Sequence, residues 1–270
     1  MRCKNNIFQI AELTCKITGV DLNADWDKFA KDKAAENVNF TVFSYALQTM
    51  LHGVQMISLQ SDDKLVMVND SDIMIVNREW SYGKIFFGTP KKNWDLFLIQ
   101  LFYANAVKRK IIQLHASLIN YKQRGLIFLG PSGIGKTTQA ELWQKYRKAQ
   151  IINGDLVFVQ DKKDKFIGWG TPWHGSSSYC ENAYAEVKGM VILRQSEKNE
   201  IRRLTGFELI SKISNNIFYP QWLEGGTELC IEVLDHLLKT IPVYELSCRP
   251  DEEAVALTEQ TIFGRDRDHE

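Results

Sequence analysis

Before residue 93 the apolar runs of this chain are short and strand-like. Residues 64–68 and 73–76 flank Asn69-Asp70-Ser71-Asp72, a turn-rich quartet that predicts a hairpin. Residues 83–88 read as a further strand stopped by Thr89-Pro90, and residues 37–43 alternate as another. The charged, alanine-rich stretch 25–36 predicts a short helix. Residues 1–92 are therefore expected to form a β-rich N-terminal lobe, and residues 93–270 a second domain.

The second part opens with an apolar helix over 93–109 and a strand over 111–119. A turn at 120–125 then leads into the apolar run Arg124-Gly125-Leu126-Ile127-Phe128-Leu129. Two strands joined by a turn cannot be parallel neighbours, which need a crossover, so part of this sheet must be antiparallel. Strands are expected at 150–155, 156–160, 166–169, 187–194, 201–204 and 242–247. Helices are expected at 138–146, 207–214, 227–239 and 251–263, the last announced by Arg249-Pro250. The fold class is α/β with a mixed sheet.

Between the strand ending at Leu129 and the helix from Thr138 stands Gly130-Pro131-Ser132-Gly133-Ile134-Gly135-Lys136-Thr137. Two glycines five apart, then Lys, then Ser or Thr, is the phosphate-binding pattern. Its glycines let backbone N–H groups converge on an anion, and the helix N-terminus adds positive potential. The expected nucleotide contacts are Gly130, Ser132, Gly133, Ile134, Gly135, Lys136, Thr137 and Thr138. Lys136 reaches the phosphates as a point charge, and the Thr137 hydroxyl can ligate Mg²⁺. The bland alternative is a glycine-rich turn that caps a helix, and the flanking elements count against it.

Further chemistry lies nearby. Asp155 ends the strand after the loop helix, placed to receive a hydroxyl proton or to hold Mg²⁺. A lone histidine in an apolar strand is often a core residue, but His115 lies on the strand paired with the loop strand. Lys188 and Arg194 share one strand and can neutralise a transferred group, or simply be solvated. The loop 169–178 carries two indoles and suits a lid or a substrate wall, although Trp173 suits packing equally.

Lys+Arg and Asp+Glu are both 33 in 270 residues, and no basic face is evident, which argues against a nucleic-acid partner. Five scattered cysteines without metal-ligand spacing suggest reduced thiols. The N-terminus leads into no apolar core of signal-peptide length. The most apolar segment, 94–107, is too short to span a bilayer and carries Asp95, Gln100 and Asn105. A cytoplasmic protein without a membrane partner is expected, with homo-oligomerisation left open.

His115-Ala116-Ser117, the hairpin, the phosphate loop and Ile151-Ile152-Asn153-Gly154-Asp155 together resemble the HPr kinase and phosphoenolpyruvate carboxykinase-like P-loop family. The closer resemblance is to HPr-kinase-like proteins of peptide-modifying gene clusters, including lasso-peptide kinases. The ending Ile241-Pro242-Val243-Tyr244-Glu245-Leu246-Ser247-Cys248-Arg249-Pro250-Asp251-Glu252-Glu253 is similar too, so the resemblance spans roughly residues 94–263. It implies an ATP- and Mg²⁺-dependent kinase acting on a serine hydroxyl of a peptide or protein, with Asp155, His115 and Lys136 catalytic.

Two departures stand out. The family's paired aspartates become Gly154-Asp155, so only the second matches, and its Glu-Ile-Arg-Gly becomes Glu186-Val187-Lys188-Gly189. The metal is then expected on Thr137 and Asp155, with Glu186 replacing the missing carboxylate. A small-molecule or carboxykinase-like metabolite enzyme and an NTP-binding regulatory protein are the alternatives. A GTPase is disfavoured, since neither Asn-Lys-x-Asp nor a following Asp-x-x-Gly occurs.

Overall fold

A computed structural model describes residues 7–31, 37–46, 63–69, 72–87 and 94–264, and the chain divides into two compact units, Met1–Arg109 and Lys110–Glu270. The first unit holds β1 (Ile7–Ile10), β2 (Leu13–Thr18), a 3₁₀ turn (Ala24–Phe29), β3 (Phe40–Ala46), β4 (Asp63–Asn69), β5 (Asp72–Asn77), β6 (Tyr82–Phe87) and α1 (Trp94–Val107). Its six strands run in the order β1-β2-β3-β6-β5-β4, with the inner pairs β2–β3 and β3–β6 parallel. The expected hairpin is β4–β5, antiparallel with Val66 opposite Ile75.

Three expectations for this unit shift. β1 and β2 form an antiparallel hairpin from a stretch to which the sequence pattern had assigned no element. The helix expected over 25–36 is a 3₁₀ turn that buries Trp26 and Phe29 and gives way to extended backbone at Ala30; residues 32–36 lie outside those described. The helix α1, expected at the head of the second domain, belongs instead to the first unit. It is apolar on nearly every face, and Trp94 Nε1 donates to Ser44 Oγ at 2.8 Å while Asn105 donates to the Trp80 carbonyl.

The second unit holds β7 (Ile111–Tyr121), β8 (Arg124–Leu129), α2 (Lys136–Arg147), β9 (Gln150–Asn153), β10 (Leu156–Asp161), β11 (Phe166–Trp169), β12 (Tyr184–Gln195), β13 (Glu200–Arg203), α3 (Gly206–Ile213), a 3₁₀ turn (Ser214–Asn216), β14 (Ile217–Phe218), α4 (Gly226–Thr240), β15 (Val243–Cys248) and α5 (Glu252–Phe263). The sheet is mixed. β7 and β8 are antiparallel, as the short turn requires, whereas β8–β12 and β12–β15 are parallel. β11 pairs with both β10 and β12, so β7, β8, β12, β11 and β10 close into a ring.

On one face α2 and α5 cover the sheet over a cluster that includes Ile119, Phe128, Ala140, Val191, Leu246 and Val255. Trp143 is fully buried there, edge-on to both Tyr121 and Phe263. α5 starts where Asp251 Oδ1 accepts from Ala254 N at 3.0 Å, an N-cap that satisfies one of the helix's orphan donors. Among the described residues no helix is long and apolar enough to cross a membrane. Replacing Trp143 by Ala should cost about 3–5 kcal/mol through lost burial and a residual cavity, read as a lower urea midpoint by far-ultraviolet circular dichroism of the full chain.

Candidate functional site

β7 is continuous over its whole length, but neither of its neighbours is. On one edge β8 pairs with Ala116–Tyr121 and β14 takes over at Gln113 and Leu114. On the other edge β9 pairs with Leu118–Asn120 and β10 with Ile111–His115. Both changeovers fall at residues 115–117. Through one gap the chain leaves as the phosphate loop, and through the other it leaves as Gly154-Asp155.

The loop backbone explains its glycines. Gly133 has φ 79° and Gly135 φ 114°, values that strain any residue with a Cβ. A Cβ at either position would meet nothing within 4 Å, so the space beside the loop is open there. Lys136, only 6% exposed, donates from Nζ to the carbonyls of Gly130 (2.9 Å) and Pro131 (3.2 Å). Burial lowers its pKa, and the nearby Asp155 carboxylate works against that. Ser132 on the loop and Thr138 in the first turn of α2 are exposed, while Ile134 packs partly against the α2–α5 core.

Thr137 Oγ1 donates to the Gly154 carbonyl at 3.2 Å, and Ser117 Oγ donates to the same oxygen at 2.9 Å. The helix start and the acidic turn are thus joined by one shared acceptor. Asp155 Oδ1 in turn accepts from His115 Nε2 at 3.0 Å, with the two side chains 34% and 28% exposed. That hydrogen bond holds the Asp155 pKa below the ordinary carboxylate range; burial opposes it, and Lys136 and His174 add to it.

The turn itself is held by a residue the sequence pattern did not mark. Asn153, fully buried, accepts from Asp155 N and Leu156 N at 2.9 Å each and donates to the carbonyls of Thr171 and Trp173. The segment 170–178 is thereby folded over the turn. A Cβ at Gly154 would lie 1.9 Å from Ser177 Oγ, and one at Gly175 would lie 2.1 Å from Asp155 Oδ2. The space a side chain at 154 would need is filled by Ser177. Trp173 is buried against Phe158, which makes it packing and not a lid.

On the opposite flank of the loop lies a cleft of about 630 Å³, bounded by Gly133, Gly135, Thr138 and Gln139 on one side and Arg194 and Arg249 on the other. Gln139 Nε2 meets Cys248 Sγ at 3.3 Å there, and burial pushes the Cys248 thiol up to about 11. Asn216, distant in sequence, closes the loop's base by accepting from Gly130 N at 2.8 Å.

Glu186 is not brought to this site. It lies opposite Arg124 at the start of β8, whereas the loop leaves after Leu129, about 17 Å further along the strand. Its carboxylate pairs with Lys188 instead. The expectation that Glu186 joins Thr137 and Asp155 around a metal therefore fails on register, and Lys188 is likewise removed from the phosphate loop. Arg194, nine residues or fewer from both on the same strand, reaches the cleft because it stands at the strand's other end.

No protein-family model matches the chain, and no curated protein does. Among solved structures it is similar to the HPr(Ser) kinase/phosphatase from Coxiella burnetii, at 12% identity and a TM-score of 0.35, over 58% of this chain and 99% of that one. Writing a second carboxylate into the turn should harm the site: Gly154→Asp forces Ser177 out and loosens the 170–178 segment. Increased amide exchange confined to 170–178, with α5 unchanged, is the expected reading.

Proposed function

We propose that this chain is an ATP-dependent phosphotransferase that uses Mg²⁺ and acts on a serine hydroxyl of a peptide or protein. The observation that carries the reading is that Thr137 bonds the Gly154 carbonyl, one residue from an Asp155 that is bonded to His115 and supported by the charge of Lys136. The residues fit the groups required. The open space beside Gly133 and Gly135 leaves room for phosphate oxygens, and the Thr137 hydroxyl and the Asp155 carboxylate are oxygen donors of the kind Mg²⁺ takes. Bound there, ATP would supply the phosphoryl group and Mg²⁺ would offset its charge.

The chain's own groups divide the remaining work. Lys136 and the loop amides hold the phosphates, while the cleft flanked by Thr138, Gln139, Arg194 and Arg249 receives the nucleoside end. Asp155 orients the acceptor hydroxyl and takes its proton. A carboxylate held ionised is a weak base, which suits a loose phosphoryl-transfer transition state in which little proton removal is needed early. His115 fixes the carboxylate's orientation through Oδ1. The serine and the peptide come from what the resemblance to HPr-kinase-like proteins implies and not from the shape of the site.

Lys136→Ala should weaken ATP binding or abolish transfer, measured by calorimetry and by the mass of a phosphorylated peptide. Asp155→Asn, whose amide oxygen is still a ligand for Mg²⁺, should retain ATP binding yet lose transfer by roughly 10²–10⁴-fold; wild-type transfer would remove Asp155 from the mechanism. Phosphorylation of a metabolite but of no peptide would replace the peptide reading by the small-molecule one. Because the folded pKa of Asp155 is depressed, its ionised pairing with His115 persists above the unfolded value of about 3.9 and is lost as pH falls through the folded one. The pH–rate profile should therefore show no acid limb from Asp155 above about pH 4.

A further inference from the structure

Beside the His115–Asp155 pair stands one large side chain with no part in the scheme above. Strand alternation turns Ile217 of β14 inward and Phe218 outward, where Phe218 remains 43% exposed. Its ring centroid lies 6.5 Å from that of His115. A single exposed apolar residue is ordinary in itself, but the backbone that carries this one is held at three points. β14 pairs with β7 through Ile217 opposite Leu114 and Phe218 opposite Gln113. The preceding Asn216 is bonded to the amide of Gly130, and the Phe218 carbonyl meets Cys230 Sγ at 3.9 Å.

What meets the exposed part of this ring is set by the layout of the loop. Its far flank is the cleft bounded by Thr138 and Gln139, while Phe218 lies on the flank of His115 and Asp155, where an acceptor must arrive from solvent. The ring lies 6.5 Å from that of His115, and His115 is bonded to Asp155, so an acceptor hydroxyl placed at Asp155 brings the side chains of its neighbouring residues within reach of the ring.

We infer that Phe218 is a specificity-determining residue of the acceptor side, taking an apolar side chain next to the hydroxyl that is phosphorylated. This rests on the phosphotransferase reading. The hydroxyl oxygen gains the phosphoryl group as the bond between the terminal phosphorus and its bridging oxygen breaks; the proton passes to Asp155, and Phe218 takes no part in the chemistry.

The test uses two heptapeptides that differ only in the residues flanking a central serine, leucine in one and asparagine in the other, with ATP, Mg²⁺ and the full-length protein. Wild type should favour the leucine peptide by about 10-fold or more in kcat/KM, the scale of a lost apolar contact. Phe218→Ser should erase that preference by raising KM for the leucine peptide, while Phe218→Leu keeps it. Equal kcat/KM for the two peptides in wild type, or an undiminished preference in Phe218→Ser, overturns the inference and leaves the phosphotransferase reading standing. ATP-induced thermal stabilisation of wild type separates the two further. Stabilisation without transfer to either peptide overturns the acceptor assignment alone, whereas its absence overturns the nucleotide reading beneath it.

Discussion

The site depends on the pairing of one long strand with neighbours that both end at the same level. β7 runs unbroken over eleven residues, yet its partners change from β8 to β14 and from β9 to β10 around His115–Ser117. A backbone released from a ladder must find other partners for its N–H and C=O groups. Here side chains take up the released groups: Gly130 N donates to Asn216 Oδ1, the Gly154 carbonyl accepts from Ser117 and Thr137, and Asp155 N donates to Asn153 Oδ1. The two turns that carry the candidate chemistry are thus fixed by the same bonds that repair the broken ladders.

Charge is arranged on the same plan. Lys136 and Asp155 are both partly withdrawn from water, each supporting the charged form of the other. Further out, the buried Glu245 of β15 is gripped by Arg202 and by Lys212, whose carbonyl accepts from Asn216 Nδ2. Removing one member of such a set leaves a buried charge uncompensated, which is costly even where the whole set adds little net stability. α3 and the turn after it are therefore anchored by ion pairs on one side and by the phosphate loop on the other.

Sequence made some of this legible and hid the rest for identifiable reasons. The phosphate loop and the β7–β8 hairpin are local, so glycine spacing, turn residues and apolar runs marked them directly. Asp155 stood out because a strand end after the loop helix is a position and needs no partner to be noticed. Glu186 misled because matching four residues says nothing about register, and register puts it at the wrong end of β12. Asn153 and Asn216 act through side chains that cap distant backbone, and the Asn216–Gly130 bond spans 86 residues. α1 was assigned to the wrong unit because its nearly uniform apolarity announces burial without saying against what.

That same bond has a consequence for how the molecule is made. β7 and β8 can pair as soon as residue 129 has been synthesised, since the hairpin is local, but the segment 216–218 that completes the other half of that edge comes much later in the chain. Long-range closures of this kind are slow to form and are reached only after local elements are in place. The phosphate loop therefore exists as a motif long before it exists as a braced structure. The growing chain gains the finished geometry of this loop only when the sheet beyond β13 has been laid down.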